Sequence, residues 1–288
     1  MKATATSKTA QYMALFRALE TTRPKEKRLF TDNYAHLFLS GSLKIWAWLC
    51  RLSPVRTLAE RIIRKKIPGA YTSGIARTRY IDDLLNDAVQ HGVEQVMILG
   101  AGFDTRGFRL PSLGNVPVIE IDHPNTARFK LTKLRNKKIP SRIRFYQIDF
   151  NKQSLDQLSA MHHFDFSRPT AVIWEGVTNY LSPEAIDNTF AFIRRFKSGS
   201  CIIFTYIDKK VLETPAAYTG GEKLLQDVSA LEEKWTFGFR PEELKDYLLS
   251  FDLELLEDMG AAAYRQRYMP DRSEEGYEFY RVAYARKK

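Results

Sequence analysis

The stretch QVMILGAGFDTR, residues 95–106, decides the fold of this 288-residue chain. Its first five residues are mostly apolar and end at Gly100, and Gly102 follows two positions later. A buried strand that ends in closely spaced glycines is typical of a nucleotide-binding α/β sheet, because glycine lets the backbone turn tightly and approach a ligand. We therefore predict a strand at residues 95–99, with a ligand site at its carboxyl end.

Short apolar strands alternate with helices along most of the remaining chain. Six further strands are predicted at 116–121, 142–148, 170–174, 200–207, 253–258 and 278–285. Strand–helix alternation implies right-handed parallel crossovers and a doubly wound α/β sheet. Because no clear helix separates the last two strands, the last strand is predicted to run antiparallel. The expected architecture is a doubly wound, seven-stranded sheet with a modified edge.

The first 76 residues are predicted to form a helical cap on one domain that spans residues 1–288. The remainder, 77–288, is the predicted core, and an insertion at about 208–240 could form a lid. Within the cap, the helical region 43–66 is interrupted at Ser53-Pro54 and is apolar in its first half and basic in its second. It could lie on a membrane surface, but packing against the main domain is the favoured interpretation.

Composition excludes several classes of protein. Hydrophobic residues make up 44% of the chain and aromatic residues 12%, which is enough for a sizeable core. The longest apolar run, 45–50, is far shorter than the roughly 18 residues of a membrane span. Two cysteines provide no disulfide framework, and the amino terminus lacks the features of a secretory signal. The sequence therefore predicts a cytoplasmic protein with no transmembrane segment.

The net charge of +10 is concentrated in two segments. Residues 44–66 contain seven Lys and Arg against one Glu, and residues 123–148 contain eight and no acid. Such runs could attract phosphate or acidic surfaces by long-range steering. The favoured interpretation is that they are solvated helix faces, so nucleic-acid binding and peripheral membrane contact are both disfavoured.

Four acidic residues are predicted to follow four successive strands. They are Asp104, Asp122, Asp149 and Glu175. An acid about 20 positions after the glycines is placed to bind ribose hydroxyls, and either Glu120 or Asp122 could serve, with Asp122 favoured at the strand tip. No third glycine completes a dinucleotide fingerprint. The four acids predict an acidic pocket for a ligand with ribose, an amine and a positive centre.

Several motifs resemble one known family. The strings QVMILGAGFDTRGFRL, EIDHP, IDF and WEGVTNYLS are similar to those of the leucine carboxyl methyltransferase-like family of S-adenosylmethionine-dependent methyltransferases. The segments SKTAQYMALFRALETTRPKEKRLFTDNYAHLFL and ARTRYIDDLL resemble its bacterial branch. The resemblance is distinctive over residues 7–206. It implies a class I methyltransferase (Rossmann-like) fold with a helical cap, and S-adenosyl-L-methionine as the cofactor.

The resemblance also implies a role for each residue of the predicted site. Lys8 and Arg77 would hold the methionine carboxylate of the cofactor, and Gly100 and Gly102, in the same loop as Asp104, would approach its methionine portion. Asp122 would bind the ribose, Asp149 and Phe150 would lie by the adenine, and Glu175 would lie near the methionine amino group and the substrate.

Methyl transfer from a sulfonium is an in-line displacement, so the main task of the enzyme is alignment. Glu175 and Tyr180 are the predicted catalytic residues, whereas Tyr206 could either face the substrate or pack in the core. His123 is the nearest candidate base, although a histidine at a strand tip is more often structural. The sequence has no HxxxH motif and no cluster of carboxylates that would mark a metal site. Lack of an obvious base favours an acidic oxygen nucleophile.

The predicted function is therefore O-methylation of a carboxylate or hydroxyl on a small-molecule acceptor. Two alternatives remain open at this stage. One is an RNA methyltransferase that uses the basic segment 123–148, although that segment has few aromatic side chains to stack on bases. The other is a protein that binds S-adenosylmethionine without catalysis.

Overall fold

The strand predicted at residues 95–99 is present as β1 (Gln95–Leu99). A computed structural model describes residues 8–150, 153–162, 164–230, 234–272 and 274–288, with the side chain of Lys8 outside this description. All five residues of β1 are buried. Val96 and Ile98 pack into one hydrophobic cluster, and Met97 and Leu99 pack into another on the opposite face of the sheet. Burial on both faces explains why this strand is an uninterrupted apolar run.

Six strands flank β1 in one mixed sheet. They are β2 (Val118–Asp122), β3 (Ile143–Gln147), β4 (Thr170–Trp174), β5 (Cys201–Ile207), β6 (Leu253–Gly260) and β7 (Tyr280–Lys287). Their order is β3-β2-β1-β4-β5-β7-β6, and β7 pairs antiparallel with both β5 and β6. The predicted doubly wound, seven-stranded sheet with an antiparallel last strand is confirmed.

Twelve α-helices are present in the described part of the chain. They are α1 (Lys8–Thr21), α2 (Gly41–Leu49), α3 (Ser53–Lys66), α4 (Ala70–Gln90), α5 (Arg106–Arg109), α6 (Pro124–Leu134), α7 (Leu155–His162), α8 (Pro183–Ile193), α9 (Lys210–Glu213), α10 (Gly221–Ala230), α11 (Pro241–Leu249) and α12 (Ala261–Tyr268). Pro54 lies in the first turn of α3, where its missing N–H is not needed, which explains the predicted interruption at this position.

One prediction about the connections is wrong. Helix α12 lies between β6 and β7, where no helix was expected. Its sequence, AAAYRQRY, has no apolar periodicity, and its buried residues are Ala261, Tyr264 and Arg265. This helix has no amphipathic pattern to stabilise it, and it is stabilised instead by its tertiary contact with α4. The last strand is antiparallel although a helix precedes it, because β7 inserts between β5 and β6.

Helix α4 connects the amino-terminal helices to the sheet. It contacts α1 and α3 as well as β4, β5 and β7. The predicted boundary between cap and core, at residues 76 and 77, falls inside this continuous helix. Most of α4 is buried, including the charged residues Arg77 and Asp82. Since buried charges require partners, this helix brings ion pairs to the carboxyl ends of the strands.

The insertion predicted at about 208–240 begins directly after β5. It contains α9 and α10, and its ends meet, because the Lys209 N–H donates to the Phe239 carbonyl oxygen at 2.9 Å. Residues 231–233 of the insertion lie outside the described part of the chain. Within that part, none of the helices combines the length and apolar character that a membrane span requires.

Candidate active site

A cavity of about 1000 Å³ lies beyond the carboxyl ends of β1, β2 and β4. The sequence-predicted site residues whose side chains are described all line it: Arg77, Gly100, Gly102, Asp104, Asp122, Asp149, Phe150, Glu175 and Tyr180. Lys8 is the first residue of α1, and its side chain lies outside the described part of the chain. A parallel sheet places its ligand at this edge, and the size is sufficient for a cofactor together with an acceptor.

The glycine loop after β1 forms the floor of the cavity. Gly100 and Gly102 have φ angles of +60° and +47°, in the left-handed region that favours glycine. A Cβ added at Gly100 would lie 2.3 Å from Cγ2 of Val177, so a larger residue does not fit there. At Gly102 the nearest atoms to such a Cβ are 3.8 Å away. The loop therefore offers an open backbone surface to a ligand at Gly102.

Asp122 is held in place by backbone N–H groups. Its Oδ2 accepts a hydrogen bond from the Gly102 N–H and its Oδ1 from the His123 N–H, both at 2.6 Å. Burial raises the pKa of Asp122, although the two N–H donors favour its ionised form. A carboxylate fixed in this way still has lone pairs that can accept hydrogen bonds from a diol.

The other acid predicted for the second strand, Glu120, has a different role. It lies beneath the cavity, where its Oε2 accepts a hydrogen bond from the Lys130 Nζ at 2.5 Å. Both side chains are only 2% exposed. Lys130 therefore neutralises Glu120 and also donates to the Asp104 carbonyl oxygen, at 2.6 Å.

Asp149 and Phe150 follow β3 and line the same side of the cavity as Asp122. We call these three residues, together with His123, the β2 end. The Nε2 of His123 lies 4.0 Å from Oδ2 of Asp149. The His123 Nδ1 accepts a hydrogen bond from the Asn125 N–H at 3.3 Å and so caps α6. This contact matches the structural role that a strand-tip histidine was expected to have.

Glu175, after β4, is bound by two arginines. Its Oε1 accepts a hydrogen bond from Nε of Arg77 and its Oε2 from Nη1 of Arg106, each at 2.9 Å. Burial alone would raise the pKa of Glu175, but the charges of Arg106 and Arg77 outweigh it and lower this pKa. Glu175 is therefore an anion at neutral pH and a poor proton acceptor.

Arg106 and Arg109 extend this ion-pair cluster from α5 to α4. The Arg106 Nε donates to Oδ1 of Asp82 at 2.8 Å, and the Arg109 Nη1 and Nη2 donate to both oxygens of Asp82 at 2.6 and 2.8 Å. Arg106 also pairs with Asp104. Burial would raise the pKa of Asp104, but the charges of Arg106 and Lys130 lower it to about 2. We call Arg77, Arg106, Arg109, Asp82, Asp104 and Glu175 the arginine network.

The cavity is therefore not the acidic pocket expected from four successive carboxylates. Two of them, Asp104 and Glu175, are neutralised by arginines within the network. Sequence analysis did not predict Asp82 and Arg109. Asp82 accepts hydrogen bonds from both Arg106 and Arg109 and so completes the arginine network. The only available signal was the spacing of Arg106 and Arg109, three positions apart on one turn of helix.

Arg77 also faces an aromatic ring that lines the cavity, that of Tyr280. Its guanidinium carbon lies 4.5 Å from the centroid of the Tyr280 ring, which permits a cation–π contact. Its Nη1 donates none of the hydrogen bonds found among the described residues. The arrangement leaves part of the Arg77 fork for a ligand carboxylate.

The remaining wall comes from the insertion and from the end of α3. Its apolar part includes Leu224, Val228 and Trp235. Among the described residues, three lysines, Lys66, Lys223 and Lys234, and one acid, Asp227, also line this wall. Nε1 of Trp235 is buried without a hydrogen-bond partner among the described residues.

Of the two tyrosines considered for the substrate side, only Tyr180 lines the cavity. Tyr206 is fully buried, and its hydroxyl donates to Oδ2 of Asp258 at 2.8 Å, so it belongs to the core. Among the residues described, no group of three or more His, Cys, Asp or Glu is arranged to hold a metal ion.

Comparisons with known proteins agree with this geometry. Residues 10–194 match the sequence profile of the family described as "Leucine carboxyl methyltransferase". A protein of Streptomyces coelicolor, assigned as an S-adenosyl-L-methionine-dependent methyltransferase, is 34% identical over 212 residues, or 73% of this chain and 72% of the relative. A protein of Mycolicibacterium smegmatis with the same assignment is 30% identical over 64% of this chain and 58% of its own length.

Two solved structures share the fold. A crystal structure from Thermobifida fusca, assigned as a methyltransferase, superposes with a TM-score of 0.60 at 19% identity and covers 95% of this chain and 94% of that one. A DUF574 family protein from Streptomyces avermitilis gives a TM-score of 0.57 at 16% identity, over 82% of this chain and 91% of that one. The strand order and the first of these likenesses confirm the expected class I methyltransferase fold.

Proposed function

This chain belongs to the leucine carboxyl methyltransferase family and is an S-adenosylmethionine-dependent methyltransferase, and we propose that it methylates a carboxylate oxygen of its acceptor. One observation carries the choice of a carboxylate. The acids of the arginine network are already ionised and paired, so they are poor bases for a hydroxyl acceptor, whereas a carboxylate acceptor needs no base.

The residues of the cavity fit the cofactor at both of its ends. An amino-acid head group has one positive and one negative charge, and Arg77 and Glu175 offer the opposite charges side by side. In our proposal Arg77, together with Lys8, holds the cofactor carboxylate, and Glu175 receives its ammonium group.

The nucleoside would occupy the β2 end. Asp122 has its carboxylate fixed by two backbone N–H groups and accepts the ribose hydroxyls. Asp149 and Phe150 provide an acceptor for the exocyclic amine and an aromatic wall. Gly102 has space for a ligand where a Cβ would stand, so the chain between ribose and amino acid can lie against the loop.

The wall formed by α3 and the insertion suits an amphiphilic anion as the acceptor. Three lysines attract a carboxylate by long-range electrostatics, and Leu224 and Val228 cover an apolar body. The unpartnered N–H of Trp235 offers a hydrogen bond, since a buried donor gains most when a ligand supplies its missing acceptor.

When bound, S-adenosylmethionine would supply the methyl group of its sulfonium: the acceptor oxygen would bond to the methyl carbon as the carbon–sulfur bond breaks in line, and the neutral thioether S-adenosylhomocysteine would leave. The protein aligns this nucleophile and excludes water, with Glu175 and Tyr180 as the side chains proposed to lie beside the reacting atoms. A carboxylate arrives ionised and needs no base. The only histidine lining the cavity among the described residues, His123, caps α6.

We also propose that the protein is located in the cytoplasm. Cys50 and Cys201 are free and buried. Unpaired cysteines support the predicted cytoplasmic location, because that compartment is reducing.

An assay with tritiated methyl groups tests the choice of acceptor. Pairs of carboxylic acids and their matching alcohols are incubated with the enzyme and S-adenosylmethionine, and each product is treated with alkali. We expect radioactivity only with the acids, released as volatile methanol because methyl esters hydrolyse in alkali. The rate should be flat above about pH 6, where a carboxylic acid with a pKa of about 4 is ionised.

The contrary outcomes are equally specific. An alkali-stable methyl ether whose rate rises with pH would identify a hydroxyl acceptor that needs a base. Methylation of RNA, with no activity on the acids, would instead support the alternative based on the segment 123–148.

A further inference from the structure

Helices α2 and α3 are the least covered apolar part of the described chain. Ten large hydrophobic side chains are exposed in the described part of the chain as a whole, and six of them fall between residues 45 and 62. They are Ile45, Trp46, Trp48, Leu52, Leu58 and Ile62, with exposed fractions between 43% and 63%. Scattered apolar side chains are ordinary on a surface, but a concentration of this kind marks an interaction site.

The exposed side chains follow the periodicity of the two helices. Ile45 and Trp48 are three positions apart in α2, and Leu58 and Ile62 are four apart in α3. Each pair therefore shares one helix face. The buried residues are Ala47 in α2 and Arg56 in α3. The packing expected for this segment as a cap therefore uses only the inner face.

Positive charge surrounds the same two helices. Lys44, Arg51, Arg61, Lys65 and Lys66 are exposed, and none forms an ion pair with another described residue. Glu60, the only acid in 44–66, forms an ion pair with Arg23, with 2.5 Å between its Oε1 and Nη2 of the arginine. The second basic segment of the sequence contributes as well, because Lys137 acts together with Lys44 and burial to lower the pKa of His36.

We propose that α2 and α3 form a peripheral docking surface for an anionic lipid bilayer. In this arrangement Trp48, Ile45 and the outer face of α3 enter the boundary between headgroups and acyl chains, and the surrounding lysines and arginines contact lipid phosphates. Tryptophan is the residue most suited to this boundary, because its ring is apolar while its N–H remains near water.

Charge decides between a bilayer and a second copy of this chain. A two-fold dimer places the same patch on both partners, so it would bring two unpaired basic rims together. Like charges in such an interface oppose association. An anionic bilayer supplies the opposite charge over the whole rim and also accepts the apolar side chains.

Docking would also orient the cavity. Lys66 and Ile67, at the end of α3, line the cavity that holds the candidate active site. The wall that we assign to the acceptor would then lie beside the lipid surface. The docking proposal goes beyond the proposed function and does not depend on the identity of the acceptor.

Sedimentation with vesicles tests the proposal on the full-length protein. We expect binding to phosphatidylcholine vesicles that contain phosphatidylglycerol, and release at high salt. The double variants Ile45→Ser/Trp48→Ser and Arg51→Glu/Lys65→Glu should each bind at least about tenfold more weakly. Leu256→Ser and Lys245→Glu, matched changes at exposed positions elsewhere, should leave the binding unchanged.

A spectroscopic measurement covers the possibility that a variant fails to fold. Brominated lipids quench tryptophans that reach the acyl boundary, and Trp48 is 62% exposed in the free protein. We expect quenching of the wild type and much less quenching of Trp48→Phe, a variant that keeps an aromatic ring and should still bind.

Four results would overturn the proposal. Two of them are the absence of binding to phosphatidylglycerol vesicles and equal binding to vesicles of phosphatidylcholine alone. A third is a dimeric mass in solution that reverts to monomer in Ile45→Ser/Trp48→Ser, which would assign the surface to a second copy. The fourth is tighter binding to an RNA oligonucleotide than to the vesicles, together with loss of that RNA binding in the same variants.

Discussion

The two ends of the cavity hold their carboxylates in opposite ways. In the arginine network, Asp104 and Glu175 are paired with guanidinium groups, and their pKa values are lowered. At the β2 end, the hydrogen bonds that Asp122 accepts from described residues come from backbone N–H groups, and burial raises its pKa. Acidic residues in the loops and at the strand ends of one sheet edge thus offer paired opposite charges at one end and, at the other, an acceptor that forms no ion pair with another described residue.

This difference teaches how a single sheet edge can bind a ligand with two chemically distinct halves. In our proposal, the positive charge for the amino-acid half comes from Arg77 on α4, and the negative charge comes from Glu175 after β4, which Arg106 on α5 also pairs with. The proposed nucleoside half depends on the ends of β2 and β3 and on the glycine loop. The predictions below separate the two ends, from the largest expected effect to the smallest.

Arg77→Ala should have the largest effect. Because charged hydrogen bonds contribute strongly in a buried site, we expect S-adenosylmethionine to bind about 100-fold more weakly, equivalent to about 3 kcal/mol. Isothermal titration calorimetry measures this loss. Arg79→Ala is the matched control, since Arg79 lies two positions further along the same helix, on its opposite face, and its side chain is 41% exposed. Equal affinities of wild type and Arg77→Ala would remove Arg77 from the site.

Asp104→Asn should change how the free energy of unfolding depends on pH, because the charge of Asp104 is stabilised within the arginine network. The folded pKa of Asp104, about 2, lies below its ordinary value of 3.8, so its stabilisation is complete above pH 4 and is lost as the pH falls. Linkage gives about 2 kcal/mol at neutral pH, of which about 1 kcal/mol disappears between pH 5 and pH 3. Urea unfolding of the wild type should show that loss, and the variant should lack it.

A control keeps this measurement specific. Asp246→Asn, an exposed substitution on α11, should reproduce the wild-type pH dependence. If Asp104→Asn also retains the full wild-type slope, Asp104 is not the group responsible.

Asp122→Asn should have the smallest effect of the three. An asparagine can accept a hydrogen bond from only one of the two N–H groups that Asp122 now binds, and it offers the ribose a weaker acceptor. We expect about tenfold weaker binding of S-adenosylmethionine, or about 1.4 kcal/mol, by calorimetry. An unchanged affinity would place the ribose elsewhere.

The sequence predicted the sheet and the strand-tip residues for a clear physical reason. Buried parallel strands are apolar runs that end in a loop, so Gly100, Asp122 and Glu175 stand out at those ends. Their partners could not be predicted in the same way. Asp82 lies in the middle of a helix, and its pairing with Arg109 depends on how α4 packs against the sheet. Ion pairs between distant segments leave no periodic signal in a sequence.

Helix α12 and the segment 44–66 illustrate two further limits. The short run of alanines in α12 lacks amphipathic pattern and is supported by contact with α4. For α2 and α3, an apolar and basic sequence is compatible with packing or with exposure, and only the structure shows which side chains remain uncovered.

The most direct test of the two-ended cavity compares two ligands by calorimetry. S-adenosylmethionine has both halves, whereas 5′-methylthioadenosine has the nucleoside but no amino-acid group. We predict that Arg77→Ala weakens the binding of S-adenosylmethionine and leaves that of methylthioadenosine unchanged, whereas Asp122→Asn weakens both. If Arg77→Ala weakens both ligands equally, or if Asp122→Asn weakens neither, the assignment of the two ends is contradicted.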